Sequence, residues 1–169
     1  AEAAAGQNES QERQAKSEES RILGLPQGAR VGTSSPRREA QLRQARPDLA
    51  CLPIRGNLDT RLRKLAEGQF EAIVLAMAWL VRLGLIEGGG LIAGHGELAV
   101  EALPFDLMLP APGQGALGIE TRANDAQVAE IVSALHDAAT ATAVTAERAV
   151  LDALGGGCTM PLGTYAELA

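Results

Sequence analysis

RVGTSSPRREAQLRQARPDLACLPIRGN, residues 30–57, decides how this chain folds. It opens on Arg30-Val31-Gly32-Thr33, which reads as the end of a short buried strand. Ser34-Ser35-Pro36 follows, with a serine as N-cap and a proline at the first helical position, where its missing N–H is not needed. The helix started there runs to about Ala45 and stops before Pro47. Cys51-Leu52-Pro53-Ile54 reads as a second short strand, either weakened by Pro53, which cannot donate to a ladder, or placed by it at a sheet edge. Arg55-Gly56-Asn57 closes the stretch, and Asn57 can cap the next helix. Strand, helix, strand, helix predicts an α/β fold with a mainly parallel sheet.

The rhythm continues downstream. Leu58, Leu62 and Leu65 recur at helical spacing, and Gly68 closes that helix. FEAIVLAMA, residues 70–78, is a near-continuous apolar run, as expected of a strand covered on both faces. GLIEGGGLIAGHGELAVEALP, residues 84–104, is glycine-rich and supports no assignment. A further strand is expected within Gly115–Glu120. Asn124-Asp125 opens a helix with Val128, Ile131, Val132 and Leu135 on one face. Ala146, Ala149, Val150, Ala153 and Leu154 mark a last helix, ended by Gly155, which leaves Cys158 in the loop beyond it. Residues 1–20 are rich in Ala, Glu, Gln and Ser and lack large apolar side chains, so a disordered or frayed tail is expected there.

Bulk properties narrow the function classes. The 169 residues are 46% hydrophobic but only 2% aromatic, so the core must be built from Leu, Ile, Val and Ala. A net charge of -6 argues against nucleic-acid binding or a membrane surface as the general partner. No apolar run approaches the roughly 18 residues of a membrane span, and no signal-peptide pattern opens the sequence. Two cysteines, Cys51 and Cys158, make no disulfide framework, and two histidines give no metal-ligand spacing. A reducing, cytoplasmic setting is the expectation.

Charge is unevenly spread. Between Arg30 and Lys64 nine basic residues face only Glu39, Asp48 and Asp59. Most such clusters are solvated surface, and Arg43, Arg46 and Arg63 read that way. Arg37 and Arg38 do not, because they stand in the first turn of a helix. The macrodipole disfavours cations there by a few tenths of a kcal/mol up to about 1, whereas anions are attracted. Arg61 borders the apolar stripe of its helix, and Arg55 directly follows a strand, at the carboxyl end of the sheet where open α/β folds bind ligands. The arginines therefore point either to a site for a ligand with several carboxylates or to a decorative basic face. No GxxxxGK[ST] is present and GARVGTSS is not GxGxxG, which argues against phosphate.

Five segments, VGTSSPRR (31–38), IRGNLDTRLRKL (54–65), LPAPGQGALGIE (109–120), TAERAVLDALGGGC (145–158) and CTMPLGTYAEL (158–168), together resemble the porphobilinogen deaminase (hydroxymethylbilane synthase) family. The resemblance covers roughly residues 22–169. It implies an enzyme that joins four porphobilinogen units head to tail with release of ammonia, in tetrapyrrole biosynthesis. It further implies a dipyrromethane cofactor held by a thioether on Cys158, whose glycine-rich flanks leave room for a growing chain. Each pyrrole carries an acetate and a propionate, and Arg37, Arg38, Arg55, Arg61 and Arg82 match the family's carboxylate-binding arginines. Thr33, Ser34, Ser35 and Gly56 match positions lending hydroxyls or backbone, and Gln114 matches the hinge between the first two domains. Cys51, by contrast, is expected to be merely buried. His95 and His136 match nothing catalytic and read as a loop residue and a helix-surface residue, and no metal site is implied.

The implied architecture is a periplasmic-binding-protein-like α/β domain with a mainly parallel sheet, followed by part of a small α+β domain. On that frame residues 1–21 are a tail, 22–110 the second domain of the family, and 111–136 a return segment that completes the first domain. Residues 137–169 then begin the cofactor-carrying third domain. The resemblance implies a monomeric whole protein. Residues 1–20 resemble neither the first domain nor its link, and none of Asp48, Asp59, Asp106, Asp125, Asp137 or Asp152 sits in the motif of the family's catalytic aspartate. No catalytic acid is assigned, and little turnover is expected of these residues alone. Pro36 replaces a leucine, Trp79 stands where AxAGLxRLG has glycine and could obstruct the cleft beside Arg82, and 84–104 is longer than in typical members. A non-catalytic binding module for polycarboxylate pyrroles is the alternative.

Overall fold

A computed structural model describes residues 21–156 and 160–168 of the chain. These divide into two compact units, the first ending at Leu109 and the second starting at Pro110.

In the first unit, β1 (Arg30–Gly32) leads into α1 (Pro36–Ala45), β2 (Ala50–Leu52), α2 (Leu58–Ala66), β3 (Ala72–Ile73) and α3 (Met77–Arg82). The three strands form a parallel sheet in the order β2-β1-β3, with Val31 opposite Cys51 on one side and Ala72 on the other. The edge position, one of the two outcomes expected of Pro53, is thus observed. Ser35 caps α1 with Pro36 at the first helical position, and Asn57 caps α2 by accepting from the Thr60 N–H at 3.0 Å.

Both faces of this sheet are covered, and β3 shows how. Successive strand residues point to opposite faces. Ala72 packs with Ile22, Val31, Leu42 and Leu49, whereas Ile73 packs with Leu58, Leu62 and Leu80. Helix α1 therefore covers one face through Leu42, and α2 and α3 cover the other. Gly32 lets the side chains of the neighbouring segments close over β1, since a Cβ there would meet Ile73 and Ile54 at 3.0 and 3.2 Å.

Two expectations for this unit are corrected. The apolar run 70–78 is a strand only at Ala72–Ile73, and from Met77 it is helical. Short apolar runs fit either element, and here the run is shared between β3 and the half-buried start of α3, Met77 and Ala78. The glycine-rich stretch, left unassigned above, forms a second sheet, antiparallel in the order β4 (Ile86–Glu87), β5 (Leu91–Ile92) and β6 (His95–Ala99). His95 accordingly lies in a strand and not in a loop. Ile92, 3% exposed, joins this sheet to the cluster around Leu58, Leu62 and Leu80.

In the second unit, α4 (Ala126–Ser133) and α5 (Ala138–Ala153) are capped by Asp125 and Asp137. His136 sits in the turn between them. The strand expected within 115–120 is absent, and Leu117 and Ile119 are exposed. Glu147 of α5 is buried, accepting from the Gly113 N–H at 2.6 Å and the Ala166 N–H at 3.0 Å. Gly113 adopts φ +70, a left-handed turn that aims its N–H at that carboxylate.

Among the described residues no helix is long and apolar enough to cross a membrane.

Candidate functional site

Because β1, β2 and β3 are parallel, the loops that follow them share one edge of the sheet. Thr33-Ser34-Ser35 follows β1, Arg55-Gly56-Asn57 follows β2, and Val74-Leu75-Ala76 follows β3.

The first two loops are tied by one hydroxyl. Ser34 Oγ donates to the Ile54 carbonyl at 2.8 Å and accepts from the Ile54 N–H at 3.0 Å. Thr33 is buried, and its Oγ1 accepts from the Ser35 N–H at 3.2 Å. Ser35 Oγ in turn accepts from the Arg38 N–H at 3.5 Å as the helix cap. At Gly56, φ is +115 and a Cβ would fall 2.6 Å from Thr60 Cγ2. Only glycine fits, and its carbonyl accepts from Arg61 Nε at 2.8 Å. Lys64 Nζ donates to the Arg55 carbonyl at 3.1 Å, so α2 holds its own approach loop from two directions.

Three arginines gather at this edge. Arg37 is 6% exposed, and its guanidinium donates to the Leu109 carbonyl beside Met108. Arg38 donates to the Val74 carbonyl at 2.8 Å, which spans from α1 to the loop after β3. Arg61 is half-buried on α2. Burial lowers the proton affinity of Arg37. Arg38 falls to about 10, first through burial and then through the like charges of Arg37 and Arg61. Arg38 and Arg61 meet this edge through carbonyls of neighbouring loops, Val74 after β3 and Gly56 after β2. Concentrated, partly desolvated positive charge at the carboxyl edge of a parallel sheet is suited to a ligand with several carboxylates.

The remaining candidates lie differently. Arg55 is exposed in the second loop, at the same edge. Arg82 is exposed in the last turn of α3. Trp79, also on α3, is 61% exposed. Gln114 is exposed in a turn of the second unit, where its N–H donates to the Ala111 carbonyl at 2.9 Å. Cys158 lies outside the described residues. No group of three or more His, Cys, Asp or Glu side chains able to hold a metal ion occurs among the described residues.

Some working residues escaped the sequence. Gln41 Oε1 accepts from the Leu109 N–H at 2.8 Å while its Nε2 donates to the Leu109 carbonyl at 3.2 Å. Arg46, read above as solvated, donates to the carbonyls of Leu23 at 2.7 Å and Leu25 at 3.1 Å and pairs with Asp48. Helical spacing signals neither; only the Arg46-Pro47-Asp48 spacing hinted at a local pair.

Comparison with known proteins settles the family. Residues 4–130 match the family profile described as porphobilinogen deaminase, dipyromethane cofactor binding domain. The chain belongs to the porphobilinogen deaminase family. Residues 141–169 also match the porphobilinogen deaminase C-terminal domain. The match from residue 4 starts upstream of the segments that carry the resemblance. A porphobilinogen deaminase of Roseiflexus castenholzii is 52% identical over 147 residues, 87% of this chain and 45% of that protein. One from Sorangium cellulosum is 52% identical over 145 residues, 86% of this chain and 45% of the relative. One from Albidiferax ferrireducens is 53% identical over 148 residues, 88% and 44% respectively. The chain thus spans less than half the length of these curated porphobilinogen deaminases.

Proposed function

We propose that this chain is the carboxylate-gripping and cofactor-bearing part of a porphobilinogen deaminase, which joins four porphobilinogen units into hydroxymethylbilane with release of ammonia. The observation that carries this reading is the placement of Arg38 and Arg61 at the carboxyl edge of the parallel sheet, where they donate to the Val74 and Gly56 carbonyls in the loops after β3 and β2. Its sequence context, the family match over residues 4–130, supports the same reading.

A dipyrromethane fits these residues chemically. Its acetates and propionates suit the guanidinium groups of Arg37, Arg38, Arg55, Arg61 and Arg82, and Cys158 is the proposed thioether anchor. When bound, that group is the primer onto which substrate units are added. The chain's own residues bind and orient: Arg38 and Arg61 take carboxylates, Ser35 and Gly56 lend hydroxyl or backbone, and Thr33 and Ser34 hold the loops that present them. Gln114 serves as a hinge position. None of the described aspartates is assigned the catalytic acid, so the 169 residues by themselves grip and tether and turn over little. The first unit is read as periplasmic-binding-protein-like, in a cytoplasmic protein whose whole form is monomeric.

Incubating the chain with porphobilinogen and recording an intact mass tests this. A mass increase of one dipyrromethane, coloured by Ehrlich's reagent and absent in Cys158→Ser, is the expected result. An unmodified mass together with no calorimetric binding of porphobilinogen overturns it.

A further inference from the structure

Helix α3 has one deeply buried residue. Leu80 is 2% exposed and joins Leu58, Leu62 and Ile92 in the core. Trp79 is rotated away from it by about 100° and is 61% exposed. Arg82 and Leu83, three and four residues on, share the face of Trp79. An indole left in water is unusual in a chain with one tryptophan among only four aromatic residues.

Chain connectivity keeps Trp79 near the loop that Arg38 grips. Arg38 grips the Val74 carbonyl at 2.8 Å, and two residues later Ala76 caps α3 and accepts from the Trp79 N–H at 3.1 Å. Two extended residues and one turn put the Trp79 Cα no more than about 14 Å from that of Val74. A flat ring whose carboxylates engage Arg38 can therefore lie toward the indole, with the Arg82 cation on the same helical face.

We propose that Trp79 is a stacking platform for the pyrrole ring of an acidic pyrrole whose carboxylates are held by the arginine cluster. The charge complementarity decides the occupant: an apolar protein segment gains nothing from the adjacent cations, whereas an electron-rich ring carrying two carboxylates engages both surfaces. The inference rests on the anion site proposed above and adds to it a residue that selects rings over plain polycarboxylates.

Fluorescence of the single tryptophan reads this directly. Porphobilinogen titrated into the full chain should change Trp79 emission saturably, with the midpoint matching the calorimetric Kd. Trp79→Gly should raise that Kd roughly five- to tenfold, and Trp79→Phe should restore most of the loss. The aliphatic tricarboxylate tricarballylate should bind the wild type and Trp79→Gly equally. Circular dichroism of both variants should match the wild type, because the side chain is exposed. Calorimetric binding with unmoved fluorescence and an unchanged Kd in Trp79→Gly overturns the platform and leaves the anion site standing. Absence of any binding heat removes both. Emission that responds to protein concentration and not to porphobilinogen assigns the face to self-association and also overturns the proposal.

Discussion

The side-chain amide of Gln41 clasps both backbone groups of Leu109, accepting its N–H at 2.8 Å and donating to its carbonyl at 3.2 Å. Arg37, one helical turn earlier, donates to the same carbonyl. Helix α1 thus fixes the last residue of the first unit with two side chains, of which Gln41 carries no mark of that role in the sequence. Gln41→Ala should cost about 1 to 2 kcal/mol, two net hydrogen bonds at a partly exposed site. Urea unfolding measures it, and an unchanged midpoint would show that Arg37 suffices.

Arginine 38 makes anion binding pH-dependent. Its proton affinity is lowered to about 10, so its charge is lost as pH rises through that value, well before an ordinary arginine. Tricarballylate binding should therefore weaken from pH 9 to pH 10.5, in a range where free arginine stays charged. Arg61→Ala removes one like charge and should move the alkaline decline upward, even while weakening binding near neutrality. A decline unmoved by that change would locate the titration elsewhere.

Glu147 should be among the costliest polar positions in the second unit. Its buried carboxylate accepts two backbone N–H groups, from Gly113 and Ala166. Glu147→Ala leaves both unsatisfied, for a loss of roughly 2 to 4 kcal/mol. Amide exchange at Gly113 and Ala166 should speed up in this variant, whereas exchange at Val31 in the other unit should not.

Acid should loosen the first unit through Glu71. The Arg30 guanidinium and N–H hold its carboxyl down to about 2, against an ordinary value of 4.5. A depressed acid contributes stability above its unfolded value and loses it as pH falls toward the folded one. Thermal midpoints should drop between pH 4.5 and 2, and Glu71→Gln should flatten that drop. Asp48, held well below the usual carboxylate range by Arg46 and the Gly28 N–H, contributes in the same direction.

What the sequence made legible was local. Ser35, Pro36, Asn57 and Asp125 announce their helices because capping is decided within four residues. Pro53 offered a weakened or an edge strand, and β2 is an edge strand that stops one residue before it. Where long-range contacts decide, the reading fell short. Residues 70–78 divide between strand and helix because β3 finds ladder partners only as far as Val74, whose N–H reaches the Gly32 carbonyl. The β4–β6 sheet was hidden because its strands are two to five residues long and pair through glycine-rich turns. A strand at 115–120 needs a neighbour, and among the described residues it has none. At the site, the arginines stood out by occupying helix starts, while Gln41 and Glu147 act on backbone far along the chain and carry no periodic mark.

The pair of hydrogen bonds between Ser34 Oγ and Ile54 has an engineering consequence. One oxygen fixes the spacing of the loops that follow β1 and β2, so at the proposed anion site the room for a guest would be set by a residue carrying no charge. Redesign toward bulkier or smaller acids should begin by resetting that spacer, since exchanging cations would change how tightly a guest is held and not how wide it can be.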